Sequence, residues 1–190
     1  MATLDVYLSS NSYCGIFDSR GSGSFGTNPA TPRAARPWSS SPFPSGTTYS
    51  LTLYFKYLLP TIPGTLNSAT FFGNVTSASF DATQISSYVA PRQDSSFSIN
   101  DTFGAGALTG SSTAYTSLGY SNTALSITGW GSNVWVIVRG NIIRSSYASK
   151  TTYNASTFTT STSVGVGNFI RLDYTPPDTA PANNLYTFTA

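Results

Sequence analysis

The sequence contains no histidine and no glutamate, and Cys14 is its single cysteine among 190 residues. Without histidine the usual general base near neutral pH and the commonest metal ligand are missing, which removes ordinary serine triads and zinc centres. One cysteine cannot close an internal disulfide or build a thiolate cage, so the fold must stand on packing alone. Cys14 itself reads as a small buried apolar residue.

Charge is scarce as well. Charged residues make up 8% of the chain, against about 25% in an ordinary soluble domain, so Ser, Thr, Asn and Gly must cover most of the exterior. Seven Asp stand against seven Arg and two Lys, and the missing Glu and scarce Lys are the residues that normally coat exposed helices. A net charge of +2 without a basic cluster gives no footprint for a phosphate backbone, which argues against nucleic acid as a partner. No run approaches the roughly 18 apolar residues of a membrane span. The start Met1-Ala2-Thr3-Leu4-Asp5 lacks the basic and apolar regions of an export leader, so a protein kept in the cytoplasm of its host is expected.

What the chain has is aromatic and β-branched. Twelve Phe, twelve Tyr and three Trp supply large apolar faces that suit half-buried pleated surfaces. Leu4, Val6 and Leu8 alternate with Asp5 and Tyr7 as in a strand with one buried face. Residues 49–59 alternate and then become continuously apolar until Pro60, predicting a long central strand. Shorter strands are expected over 70–75, 77–85, 97–102 and 123–128, with turn residues between them. Residues 133–144, with Val134-Trp135-Val136-Ile137-Val138, predict a central strand covered on both faces. Val164 and Val166 and then 169–172 resume pairing signals, Tyr174-Thr-Pro-Pro marks an exit, and Leu185-Tyr-Thr-Phe-Thr alternates once more as an edge strand.

No segment combines helical spacing with a cap and sufficient length, and no repeat period is visible. The expected fold is therefore all-β, a single antiparallel β-sandwich over residues 1–190, with a jelly roll as one arrangement open to it. Residues 18–48 hold prolines at 29, 32, 37, 42 and 44 and form a long Pro/Gly/Ser-rich arm or loop. Residues 174–184 form a Pro-rich connection to the C-terminal strand.

The motifs that carry chemistry elsewhere lack their context here. Gly21-Ser-Gly-Ser-Phe-Gly26 matches a dinucleotide-binding string, but Pro29 and Pro32 follow it and no helix can open there. Asp94 and Asp101 are the closest acids in the middle of the chain, and paired carboxylates can hydrolyse glycosides; nothing fixes their separation, and turn or surface acids are the simpler reading. Asn100-Asp101-Thr102 lacks the ligand count of a calcium loop. Asn74-Val-Thr76, Asn100-Asp-Thr102 and Asn154-Ala-Ser156 match the glycosylation pattern at the frequency expected in so Ser/Thr-rich a chain, and no glycan is expected. No enzyme activity, cofactor or metal is expected.

The residues that suit binding are Arg33, Arg36, Trp38 and Phe43 in the arm, and Trp130 between Gly129 and Gly131. Arginine and aromatic side chains of this kind are enriched at protein interfaces. An exposed indole at Trp130 would suit a sugar or a partner, and a half-buried packing role is the simpler reading of the same residue.

Three features belong together: an exterior of hydroxyls and amides, a core without disulfides, and a start without a secretion signal. Virion proteins reconcile them, being made and assembled inside a host and then exposed outside it. The composition and the layout of strands between Gly- and Ser-rich turns resemble those of bacteriophage structural proteins, particularly capsid decoration or cement proteins and the β-domains of tail fibres. The resemblance covers the whole chain in style and carries over no individual residue. It implies a virion location, a homo-oligomer, and binding to the major capsid protein or other virion proteins, with the arm and the C-terminal strand making the contacts. Two other readings are a tail or adhesin domain that recognises carbohydrate, and a secreted sandwich lectin.

Overall fold

The computed structural model describes residues 1–10, 13–18, 50–78, 83–95, 112–113, 115–143, 156–159 and 161–177. Ten strands and no helix occur among them. They are β1 Ala2–Tyr7, β2 Cys14–Asp18, β3 Ser50–Leu58, β4 Thr65–Ser77, β5 Thr83–Val89, β6 Ser112–Thr113, β7 Gly119–Leu125, β8 Trp135–Ile143, β9 Thr157–Phe158 and β10 Phe169–Thr175.

The strands form two antiparallel sheets. One runs β1-β10-β4-β7, with β9 pairing to the far part of β4, and the other runs β2-β3-β8-β5-β6. Eight of the strands pair as a nested hairpin: β1 with β10, β3 with β8, β4 with β7, and β5 with β6. The pairs β10·β4 and β8·β5 then join this ribbon side to side into two sheets. A folded eight-strand ribbon of this kind is the jelly-roll arrangement, which buries one face of every pair against the other sheet.

Period-two sequence explains the core. In β4 the odd residues Ala69, Phe71 and Val75 are buried, and in β10 the even residues Ile170 and Leu172 are. From the second sheet Leu53, Phe55, Tyr57, Ile85, Val136 and Val138 meet them. Aromatic rings fill the centre: Phe55 lies 5.4 Å from Phe71 and 5.9 Å from Phe158, and Tyr115 lies 5.2 Å from Phe158. Such pairs contribute roughly 0.5–1.5 kcal/mol each beyond the area they bury. The central strand β8 is covered on both faces, as its sequence predicts. Val136 and Val138 join the inter-sheet core, while Trp135 and Ile137 join Tyr54 and Ala90 in a second buried cluster on the other face. Lys56, also without exposure, sets its ammonium 5.5 Å from the Trp135 ring centroid.

Several boundaries differ from the sequence expectation. The strand expected over 77–85 is the end of β4 and the start of β5, which belong to different sheets, because apolar content does not mark where a strand changes layer. The strand expected over 123–128 is shifted to Gly119–Leu125, and Cys14–Asp18 pairs with β3 where no strand was expected. Asp18 ends β2, and the rest of the arm expected over 18–48 lies outside the described residues. β10 runs to Thr175, and the connection expected over 174–184 lies outside the described residues from 178 on. The strands expected over 97–102 and 185–189 lie outside the described residues.

Candidate functional site

Of the sequence-predicted contact residues, Arg33, Arg36, Trp38 and Phe43 lie outside the described residues. The arm's flanks are placed, and Asp18 is the direct cross-strand partner of Leu51. The two strands that flank the segment, β2 and β3, are antiparallel neighbours. Trp130 is half-buried and packs against the inter-sheet core. Its Nε1 is buried without a hydrogen-bond partner among the described residues, so that edge of the indole faces the protein. Asp94 is exposed and paired to Arg92 at 2.9 Å, and Asp101 lies outside the described residues. Among the described residues no group of three His, Cys, Asp or Glu side chains could hold a metal.

The outward face of the first sheet carries an arrangement that no single sequence feature announces. Register places Tyr7 beside Phe169, Phe169 beside Phe72, and Asn122 beyond them. Three strands thus bring three rings into one row. Phe169 stacks on Phe72 at 4.7 Å with 3° between the planes, and on Tyr7 at 5.0 Å. Tyr120 meets Phe169 edge-on at 5.7 Å. One register step away, Arg171 donates from Nε and Nη2 to the two carboxylate oxygens of Asp5 at 2.8 Å each. Its guanidinium also lies 5.1 Å from the Phe72 ring centroid and 5.6 Å from that of Phe169. Bonding to Asp5 holds the Arg171 guanidinium above its ordinary value. Arg171 and Asp5 thereby satisfy each other, and Asp173, farther along the same face, accepts from the Ser68 hydroxyl at 2.7 Å.

Over the end of the row lies the loop 161–168, tied down by hydrogen bonds from several of its polar groups. Asn168 is fully buried. Its Oδ1 accepts the Asn74 main-chain N–H at 2.9 Å and its Nδ2 donates to the Thr159 carbonyl at 2.7 Å. Thr159 N–H returns a bond to the Asn74 carbonyl at 2.9 Å, and Asn74 Nδ2 donates to the Val166 carbonyl at 2.7 Å. Tyr120 donates its hydroxyl to the Gly167 carbonyl at 2.9 Å, and the Gly165 N–H donates to the Tyr7 hydroxyl at 3.2 Å. Burial against this loop, and next the nearby Tyr7, push the Tyr120 phenol up, with a bond to Asn74 opposing them. Gly165 has φ +81°, a conformation glycine adopts without strain. A side chain at Gly167 would meet the Ser161 carbonyl at 2.5 Å.

The bonds leave two valines outside. Val164 is 80% exposed and Val166 50% exposed. Beside them Tyr120 is 43% exposed, and Leu118, two residues before it, is 70% exposed. A loop fixed by this many hydrogen bonds, yet projecting aliphatic side chains into water, is the strongest candidate contact surface among the described residues. Sequence reasoning missed it because Val164 and Val166 alternate like strand residues. A usable signal was present: no charged residue occurs between Lys56 and Asp81, between Asp101 and Arg139, or between Lys150 and Arg171, and Phe72, Tyr120 and Val164 come one from each of these runs.

Neither the models of known protein families, nor the curated proteins, nor the solved structures contain a match to this chain.

Proposed function

We propose that the chain is a non-catalytic virion structural protein, a capsid cement or decoration protein that binds neighbouring capsid subunits. The observation that carries this reading is the combination of a jelly-roll sandwich with an almost uncharged exterior. Jelly rolls of this kind occur in viral capsid domains and also in lectins and cupins, so the fold raises the prior without deciding between them. A cupin-type centre needs metal ligands, and the chain has no histidine. Carbohydrate stacking on Phe169 is not favoured, because Tyr7 and Phe72 cover its two ring faces.

In this reading the insertion between β2 and β3, whose ends meet at Asp18 and Leu51, contributes to particle binding. Mass spectrometry of purified particles tests the location, and co-sedimentation with assembled capsids tests the binding. Binding to capsids with no response on a glycan array is expected. Co-sedimentation no stronger than that of an unrelated sandwich domain would overturn the cement assignment. Replacing 19–49 by a short turn preserves the hairpin geometry and should reduce capsid binding by at least tenfold; unchanged binding would eliminate the arm as a contact.

A further inference from the structure

We draw no further inference here: the strongest candidate, the exposed patch of Leu118, Tyr120, Val164 and Val166 at the end of the first sheet, carries nothing, because nothing among the described residues shows what covers it.

Discussion

Asn74 and Asn168 hold each other across two strands and a loop: the Oδ1 of Asn168 accepts the main-chain N–H of Asn74, and Thr159, bonded to the Nδ2 of Asn168, donates its own N–H to the Asn74 carbonyl. This closed exchange ties β9 and the start of β10 to the middle of β4. It also explains why Asn168, a polar side chain, can be fully buried, since buried amides are tolerated when their partners are present.

Asn168→Ala should therefore cost about 2–4 kcal/mol, because it strands a buried N–H and a buried carbonyl together. Asn168→Asp keeps the acceptor for Asn74 but sets a carboxylate against the Thr159 carbonyl, so it should destabilise most at neutral pH and recover in part on acidification. Denaturant midpoints at two pH values check both statements. Equal loss for the aspartate variant across pH would refute the assignment of Nδ2 to Thr159.

The aromatic row predicts two unlike phenotypes from two of its members. Phe169 is nearly buried between Tyr7 and Phe72, and Phe169→Ala should cost about 3–4 kcal/mol. Tyr120 is 43% exposed, so Tyr120→Ala should cost no more than about 1.5 kcal/mol, most of it from the lost bond to Gly167. Thermal melts of the two variants should differ accordingly. Equal losses would mean that the row does not stabilise the sheet as a stack.

The Asp5–Arg171 pair is bidentate but partly exposed, with side-chain exposures of 31% and 40%. Asp5→Asn should cost less than about 1 kcal/mol, and the difference from wild type should shrink with added salt. Arg171→Ala should cost more than Asp5→Asn, since it also removes the guanidinium from over Phe72 and Phe169. Urea titrations of both variants at low and high salt would decide this, and the reverse ranking would count against the stacking of Arg171.

Burial pushes the Cys14 thiol up to about 11 from an ordinary 9.0, and the Tyr115 phenol up to about 12 from 10.0. Unfolded, both groups lose their protons first, so stability is complete below pH 9 and falls as pH rises towards 11 and 12. The thiol alone should account for about 3 kcal/mol of that fall. Cys14→Ala should show a lower stability near neutrality but a shallower decline between pH 9 and 11. The wild-type thiol should react slowly with a disulfide reagent near neutral pH, and rapid labelling of the native protein would contradict its burial.

Strand content was legible wherever burial repeats every second residue. Leu4, Val6 and Leu8 read as one buried face and pack that way, and the both-sided apolarity of 135–138 correctly implied two covered faces. Val164 and Val166 misled for the same reason. Their alternation is that of a strand, but the Val166 N–H donating to the Ser163 carbonyl, the Gly165 N–H donating to the Tyr7 hydroxyl and Asn74 Nδ2 donating to the Val166 carbonyl hold them in a turn, and a pattern of side chains does not record where main-chain bonds go. Trp130 was legible only as an indole in a turn, and its packing against the core follows from the chain on either side of it.

The sequence by itself determined that the described residues are all-β, that no internal disulfide can form and that charge is scarce, because those follow from which residues exist and how often they alternate. Only the tertiary structure decided which strands pair. The nesting of β1 with β10 and of β3 with β8 joins residues more than a hundred positions apart for the first pair and 77 to 93 apart for the second, and local propensity does not encode such partners. That pairing is also what sets Tyr7, Phe72, Phe169 and Tyr120 side by side, since a surface made from four strands does not exist until the sheet does.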